Sequence, residues 1–461
     1  MAFLKSLFVG FFSVAVILAA IAFIPGIPPD ATFEQYSIVP ARELPKNLAL
    51  NEKLNNVEIL FQGQVKGPEA FASYDGELYT SAQGGYVLRI TNNELVPVVK
   101  FGQDCDGLWQ ESKCGRPLGL KFDKKGILYV NDAYYGIFKV DVKTGKYEQL
   151  VDSKDPIEGK RPMLINSLDI ASNGDVYWSD SCSNFHLEDG IYCMIANPSG
   201  RLIRYNAANK KNQVLVHDLG FANGVALSED ESFVIVSETS TSRITKYNLK
   251  GSNAGKSEIF VEGLPGMPDN IHSDTKNGYL ISFAAYADSQ NPILPQFLIP
   301  YPNLRRLAAR LLMLLEAPFK CLQSYYPNYF TEQFIHFVGG FESIIFIVPN
   351  VVVVARMNKN GEIIDAAYGT NRKMSGITSA YIHDGFLWLG SDHAEFLGRV
   401  PLQQVFPDLI APKLQNYNAN TKESKTDSPP KPMPTQKSDS ATSSSKVKKS
   451  KSAKADTKNP Q

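Results

Sequence analysis

The sequence predicts an all-β protein, a six-bladed β-propeller with an N-terminal transmembrane helix and a helical insertion in its fifth blade. Three observations predict it. A short apolar-aromatic strand recurs six times, an unpartnered strand near residue 60 completes the last repeat, and polar residues recur at one register ahead of the strands. Tandem units of several strands are typical of propeller blades. We therefore expect one propeller domain over residues 56–410.

The recurring strand defines the blades. It covers residues 77–79, 127–130, 176–178, 233–236, 279–281 and 386–388. Most copies follow Gly or Asp-Gly, which indicates a hairpin turn. Five copies are followed by two more strands, whereas the sixth continues into Leu397–Val400 and then lacks an outer strand. The segment Val57–Phe61 precedes the first blade without a partner, so its pairing with the sixth blade would close the ring and remove the open edge.

The N-terminus carries an apolar stretch over residues 7–27, and the first charge after it is Asp30. About 20 such residues cross a bilayer as a helix. Lys5 precedes the stretch, so we expect residues 1–6 in the cytosol. This arrangement is a single-pass type II protein of the plasma membrane or endoplasmic reticulum, with the propeller facing the lumen or cell exterior. The alternative is a cleaved signal peptide, because residues 20–22 have the A-x-A form.

Charge is unevenly distributed along the chain. From Lys413 to the end there are eleven Lys and four acidic residues, a net charge of +7, although the whole chain has zero net charge. The remainder is therefore acidic, which excludes nucleic-acid binding as the function of the propeller. Residues 411–461 are rich in Lys, Ser, Thr and Pro and are predicted to be disordered, with hydroxyls that suit O-glycans in a lumenal protein. Residues 28–55 are predicted to be a linker.

The cysteines indicate two local loops. None of the five, at positions 105, 114, 182, 193 and 321, forms a C-x-x-C motif, which argues against zinc ribbons and thioredoxin chemistry. Cys105 and Cys114 form one close pair, and Cys182 and Cys193 form another. In an oxidising compartment each pair can form a disulfide, and unpaired loop thiols are the alternative.

A shared register points to the propeller axis. Asn166, Asn223 and Asp269 each lie eleven residues before the same point of the recurring strand, and Glu69 lies ten before it. The two remaining blades have Leu118 and Ile377 there. Equivalent positions of a propeller are related by rotation about its axis, so we expect the four polar side chains to converge if they lie on the innermost strands.

Two carboxylates and two amides form an all-oxygen site, which suits a hard cation such as Ca²⁺. Without a cation the carboxylates would repel each other, and one would hold a proton. Asn270 can add a further amide oxygen. The sequence thus predicts one calcium ion in the central tunnel. The alternative is that these residues cap turns, as Asn and Asp commonly do.

The segments around these positions resemble a known family. They are Gly67–Glu69, Cys114–Gly119, Phe221–Val225 and Met267–Ile271. They are similar to the strictosidine synthase-like family of propellers, relatives of the paraoxonases and gluconolactonases, and the similarity extends from residue 1 to about 405. The resemblance implies a six-bladed fold, type II membrane topology and weak arylesterase activity in some members. It also implies a central Ca²⁺ on Glu69, Asn166, Asn223, Asp269 and Asn270.

Three departures from the relatives limit the chemistry. Leu118 stands where paraoxonases have a His base, and Ala70 and Ser167 stand where their second calcium has carboxylates. Residues 376–382 contain no carboxylate where strictosidine synthases have their catalytic Glu. We therefore expect one calcium ion and no alkaloid condensation.

The expected activity is calcium-dependent hydrolysis of small esters or lactones, with Asp269 as the base. No G-x-S-x-G motif indicates a nucleophilic serine. His272, near the predicted site, is interpreted as a packing or surface residue. The alternative function is a non-enzymatic receptor or adhesion propeller that binds a protein or glycan.

The fifth blade is interrupted over residues 292–345. Asn303 is predicted to cap an amphipathic helix over residues 303–316, whose leucines share one face while Arg305, Arg306 and Arg310 lie opposite or beside them. Such a helix can lie on a membrane, cover the tunnel or pack on the propeller's flank.

Overall fold

Six four-stranded antiparallel sheets form the fold of the described residues, 2–410 without 93, 342 and 345–347, in this computed structural model. In chain order the strands are β1 Glu58–Leu60, β2 Phe71–Tyr74, β3 Glu77–Ala82, β4 Tyr86–Ile90, β5 Leu95–Lys100, β6 Pro117–Phe122, β7 Leu128–Asp132, β8 Gly136–Asp141, β9 Lys146–Asp152, β10 Ile165–Ile170, β11 Val176–Asp180, β12 Gly200–Asn206, β13 Lys211–Leu219, β14 Ala222–Leu227, β15 Phe233–Glu238, β16 Arg243–Asn248, β17 Ser257–Glu262, β18 Gly266–Ser273, β19 Gly278–Tyr286, β20 Val352–Asn358, β21 Ile363–Gly369, β22 Ser379–His383, β23 Phe386–Gly390 and β24 Leu397–Pro401. Helices of the same region are α1 Ala2–Phe23, α2 Glu111–Cys114, α3 Gly190–Ile195, α4 Leu294–Leu298, α5 Pro302–Tyr325, α6 Tyr329–Gly339 and α7 Leu402–Val405.

The sheets are the blades of a propeller. Blades one to five take β2–β5, β6–β9, β10–β13, β14–β17 and β18–β21. Their first strands contact one another in turn, and β22 of the sixth blade contacts both β18 and β2, so the inner strands form a closed ring. Buried apolar side chains fill the spaces between neighbouring blades, such as Val87 and Val99 of blade one against Leu128 and Val140 of blade two. The predicted six-bladed fold is confirmed.

The ring is closed by the N-terminal strand. β1 pairs antiparallel with β24, with Glu58 opposite Arg399 and Leu60 opposite Leu397. The Arg399 Nε also donates to Glu58 Oε2 at 2.7 Å. The sixth blade therefore combines β22–β24 with β1, as the missing outer strand predicted.

The N-terminal helix differs in extent from the predicted 7–27 span. α1 begins at Ala2, so residues 2–6 are helical, and it ends at Phe23. Pro25 follows soon after; proline lacks an N–H and disfavours helical backbone in the residue before it. Residues 4–23 are long and apolar enough to cross a bilayer, and almost all of them are exposed, Ala22 being buried.

The predicted linker of residues 28–55 is attached to the propeller. Phe33 is buried, and Asn51 Nδ2 donates to the Ala366 carbonyl while its Oδ1 accepts from Tyr368 N–H. Leu54 joins the core between blades five and six. The segment has one short 3-10 helix, Lys46–Leu48, and is otherwise irregular, so its polar pairings were not visible in its sequence pattern. The predicted disordered tail, residues 411–461, lies outside the described residues.

The insertion is helical and lies between β19 and β20, where α4, α5 and α6 replace the predicted single helix. α5 runs well beyond residue 316, and the predicted cap Asn303 lies within its first turn. Tyr301 precedes the helix, and Pro302 occupies its first position, where the fixed φ of proline suits a helix start.

Both predicted cysteine pairs are disulfides. The Cα atoms are 5.6 Å apart in Cys105–Cys114 and 6.2 Å apart in Cys182–Cys193. Cys321, on α5, is exposed and is not in either disulfide.

Candidate metal site and its cavity

The inner strands are interrupted where they reach the propeller axis. Within the described chain, the pairing of the first two strands of a blade shifts register around residues 166–167, 223–224 and 269–270, and also at Leu118. Such β-bulges redirect side chains. In three of these blades the bulge contains a residue of the predicted calcium site. The positions that share a spacing in the sequence therefore share a β-bulge in the structure as well as a polar residue type.

Serine hydroxyls hold these bulges in place from the second strand of the preceding blade. Ser179 Oγ donates to the Asn223 carbonyl at 2.7 Å, and Ser237 Oγ donates to the Asp269 carbonyl at 2.7 Å. Ser282 Oγ donates to the Thr378 carbonyl at 2.5 Å in the sixth blade. Blades three, four and five thus each fix the backbone of the next blade near the axis, where these carbonyls are buried away from water.

Four predicted ligands bring oxygen atoms to one cavity. Glu69, Asn166, Asn223 and Asp269 are each at most 5% exposed and all line it. One oxygen of each has no hydrogen-bond partner: Glu69 Oε2, Asn166 Oδ1, Asn223 Oδ1 and Asp269 Oδ1. Buried polar atoms in native proteins are nearly always paired with protein groups, water or ions, so four such atoms in one cavity form a place where water or a cation can bind. An oxygen-only donor set with two carboxylates fits a hard divalent cation.

The fifth predicted ligand, Asn270, is buried but takes a different position. Its Nδ2 donates to Glu69 Oε1 at 3.3 Å, so as placed it holds that carboxylate. In the remaining two blades Leu118 lines the cavity, whereas Ile377 belongs to the core between blades five and six and Thr378 lines the cavity instead. In the sixth blade, the residue that faces the cavity therefore lies one position after the one that the spacing predicted.

The charge balance of the site also favours a cation. Burial raises the pKa of Glu69 to about 8, and the Asp392 carboxylate adds to the effect. Burial likewise raises the pKa of Asp269 well above its usual range, assisted by repulsion from Glu69. A bound cation would offset both causes. Among the described residues no group of three His, Cys, Asp or Glu side chains is placed to hold a metal, so such a site depends on its amides.

The cavity combines this polar floor with an apolar roof and has a volume of about 140 Å³. Leu187, Met194, Phe221 and Met267 contribute apolar walls from the propeller. The insertion contributes His336 from α6, together with Gly340, Phe341, Ile344 and Val348 after it. The insertion therefore covers the tunnel and encloses a space between the polar floor and the apolar roof.

Comparison with known proteins agrees with this architecture. Residues 166–252 match the family model described as strictosidine synthase, and residues 47–90 match the one described as strictosidine synthase-like, N-terminal. The chain is 42% identical to the adipocyte plasma membrane-associated protein Hemomucin of Drosophila melanogaster, over 82% of this chain and 67% of that protein. It is 31% identical to the adipocyte plasma membrane-associated protein of Rattus norvegicus, over 77% of this chain and 88% of the relative.

The chain belongs to the adipocyte plasma membrane-associated protein family. Its human member is 31% identical over 77% of this chain and 80% of the relative. The resemblance inferred from the motifs around Glu69, Asn223 and Asp269 is thereby confirmed at the level of the family.

Sequence reasoning missed several polar residues that line the cavity of this member of the adipocyte plasma membrane-associated protein family. Asp392, His393 and Ser375 come from the loops at the ends of β22 and β23. Arg116 is 2% exposed, pairs with Glu111 at 3.4 Å and donates to the Asp392 carbonyl at 2.9 Å. Asp392-His393 directly follows a recurring strand, which is the signal that could have drawn attention to it.

His272 is a packing residue, as interpreted. Its ring lies edge-on to Tyr381 with centroids 5.1 Å apart, and its Nε2 is 3.0 Å from Ser379 Oγ. It does not line the cavity.

Proposed function

We propose that this chain is a membrane-anchored hydrolase of small esters or lactones, with one calcium ion held at the floor of the propeller cavity by Glu69, Asn166, Asn223 and Asp269, and by Asn270. The observation that supports it most is the set of four buried oxygen atoms, from four blades, that have no hydrogen-bond partner. A single cation in the cavity would give all four atoms a partner. The name of the family adds membrane association, which the relatives carry in their own names.

Different residues of the chain have different roles in the proposed reaction. Calcium, when bound, polarises a carbonyl and lowers the pKa of a water molecule. Asp269 is the proposed base, because its carboxylate lines the same cavity as the proposed ion. The apolar wall of Met194, Phe221 and Phe341 would hold the organic part of the substrate and exclude bulk water.

The experiment uses the full-length protein in lipid nanodiscs. Metal content is measured by mass spectrometry, and hydrolysis is followed with phenyl acetate and a small lactone. Chelation, or Asn223→Ala, should lower both calcium content and lactone hydrolysis by at least about tenfold, because even residues that merely support ligands contribute that much to metal affinity. The control Asn253→Ala alters an exposed loop residue and should change neither.

A folded protein that holds no calcium, or full turnover after chelation, would contradict this mechanism. A folded, metal-free protein that hydrolyses neither substrate would favour the receptor or adhesion alternative, in which binding of a protein or glycan survives the loss of Asn223.

The proposed orientation places α1 across the membrane with its N-terminus in the cytosol and the propeller on the other side. The insertion supports contact with the same membrane. α5 contacts α1, and Arg310 on α5 donates to the carbonyls of Ile21 and Ala22 in the last turn of α1 and to that of Ile27 in the segment after it. α5 is thereby held where the anchor helix ends.

The face of α5 that points away from the propeller is apolar. Leu304 and Leu315 are each 50% exposed, whereas Arg305 is fully buried and donates to the carbonyls of Ile195 and Glu34. The predicted amphipathic pattern is present, but its arginines are internal anchors and its leucines face outwards. We propose that this leucine face lies in the membrane surface beside α1, because an apolar surface next to a transmembrane segment has lipid as its neighbour.

A further inference from the structure

Three side chains at the rim of the cavity form a hydrogen-bonded relay. Ser375 Oγ lies 3.1 Å from His393 Nε2, and His393 Nδ1 lies 2.6 Å from Asp392 Oδ1. When the Nδ1 hydrogen donates to the Asp392 carboxylate, the neutral ring leaves Nε2 as the acceptor for the Ser375 hydroxyl. This order of groups is that of a serine nucleophile, its base and the carboxylate that orients the base.

The nucleophile of the relay is exposed to solvent, and the loops that carry the relay are held by hydrogen bonds. Ser375 is an exposed residue, and the His393 side chain is 22% exposed. Ser391 Oγ donates to the Ser375 carbonyl at 3.3 Å, and the buried Arg116 donates to the carbonyls of Asp392 and Gly67. Both loops that carry the relay are therefore fixed by side chains other than its own members.

Gly376 permits the close approach of the two loops. Its φ is +65°, and a Cβ there would lie 2.7 Å from the Ala284 carbonyl oxygen and 3.2 Å from Cε1 of His393. A side chain at this position would push the imidazole away from Ser375 and strain the backbone. The arrangement therefore requires glycine at position 376, directly after Ser375.

Ser375 and His393 border two spaces. On one side lies the cavity over the proposed calcium site, and on the other lies a surface groove of about 310 Å³ bordered by Gln62, Lys373 and Phe396. The groove gives a substrate direct access from solvent, without passage beneath the insertion. Its volume suits a short-chain ester.

We propose that Ser375, His393 and Asp392 form a second, metal-independent active site that hydrolyses short-chain carboxylic esters through an acyl-enzyme. Ser375 Oγ bonds to the ester carbonyl carbon while its proton moves to His393 Nε2. The bond from carbon to the alcohol oxygen then breaks, and the alcohol leaves with that proton. Water attacks the acylated Ser375, His393 takes its proton, and the carboxylic acid leaves as Ser375 regains its hydrogen.

The surroundings support the role of His393 as a base. Burial alone lowers the pKa of His393, but the adjacent Asp392 carboxylate outweighs it and the pKa is raised overall. The same pairing, with Arg116 beside it, keeps the pKa of Asp392 below its usual value even though burial acts in the opposite direction. Asp392 therefore stays ionised and available to orient the ring.

The test is covalent labelling of the full-length protein in nanodiscs with a fluorophosphonate, a probe that reacts with activated serines. Mass spectrometry should locate the adduct at Ser375, and hydrolysis of p-nitrophenyl acetate should leave a transient acetyl group on the same residue. His393→Gln should reduce the labelling rate at least tenfold, and Asp392→Asn should also reduce it. His217→Gln, which alters an exposed histidine 3.9 Å from Glu158, should leave it unchanged.

Ser375→Cys provides an independent check, since a cysteine beside His393 should react rapidly with iodoacetamide, and more slowly once His393 is replaced. Labelling spread over several serines, or labelling of Ser375 that does not depend on His393, would overturn the inference. The calcium proposal is tested separately from the relay. Hydrolysis that survives chelation but requires Ser375 supports the relay alone, whereas hydrolysis abolished by chelation without any Ser375 adduct supports the calcium site alone.

Discussion

At the scale of single residues, the polar axis could be predicted because blades repeat. Asn166, Asn223 and Asp269 share one spacing to the next strand, so their convergence follows from rotational symmetry. The relay of Ser375 and His393 could not be predicted in this way. Its members lie in loops 18 residues apart, and loop geometry has no period that a sequence displays. For the same reason the one-residue difference at Ile377 and Thr378 was not visible.

Asp132 illustrates how burial acts on a single carboxyl group. It is fully buried at the end of β7, where its Oδ1 accepts from the N–H groups of Tyr134 and Tyr135 at 3.0 Å. Burial raises its pKa from 3.8 to about 6. The folded state thus holds this proton more tightly than the unfolded state, so the stabilisation is complete below pH 3.8 and is lost as the pH rises through about 6.

We expect the free energy of unfolding of Asp132→Asn to rise relative to that of the wild type between pH 4 and 7. The gain is up to about 3 kcal/mol, because each unit of pKa shift corresponds to about 1.4 kcal/mol. Asparagine keeps an Oδ1 acceptor and removes only the charge. Denaturant unfolding across this pH range measures the difference in the free energy of unfolding. A difference that stays constant with pH would show that Asp132 titrates normally.

At the scale of elements, strands were predicted well and the insertion less well. Propeller strands are short, alternate in polarity and follow turn residues, which the sequence shows directly. α5 has an equally clear pattern, yet its orientation was ambiguous because arginine can be solvated or can satisfy buried carbonyl groups. Here Arg305 and Arg310 bind backbone carbonyls of the N-terminal segment and α3. Those partners are distant in sequence, so periodicity alone left open which face is buried.

Cys321 provides a built-in reporter for the leucine face of α5. It is exposed and lies seven residues, two helical turns, after Leu314, so the two share a face. A nitroxide attached to Cys321 in nanodiscs should collide more often with oxygen, which concentrates in lipid, than with a water-soluble nickel complex. The opposite ratio is expected for a label at Ile259→Cys on blade four, with Cys321 changed to Ser. Equal ratios at both sites would mean that α5 faces water.

At the scale of the whole molecule, the ring depends on one short pairing between β1 and β24. Every other neighbouring pair of strands within a blade is joined through consecutive chain, whereas β1 and β24 are joined by non-covalent contacts alone. The sequence predicted this closure because the sixth repeat lacked a strand and an unpartnered strand was available. Open edges invite association with other chains, so closure contributes to solubility as well as stability.

We call the pairing of β1 with β24 the seam. Two successive prolines, Ile59→Pro with Leu60→Pro, should open it. Alternate residues of an edge strand direct their N–H groups to the neighbouring strand, so at least one hydrogen bond between the strands is lost. The matched control is Asn212→Pro with Gln213→Pro in β13, an outer strand joined to its own blade. Both variants lose about 0.5–1.5 kcal/mol for each hydrogen bond removed. The seam variant should in addition form dimers or larger oligomers in size-exclusion chromatography, and equal behaviour of the two variants would argue against a special role for the seam.

The seam also sets the order of events during biosynthesis. Glu58 leaves the ribosome early, and its partner Arg399 follows 341 residues later. At roughly 5–20 residues per second, β1 waits on the order of tens of seconds for its neighbour. During that interval five blades can form while the ring stays open at one place. A chaperone that shields one bare strand edge would therefore be most useful to this protein late in its synthesis.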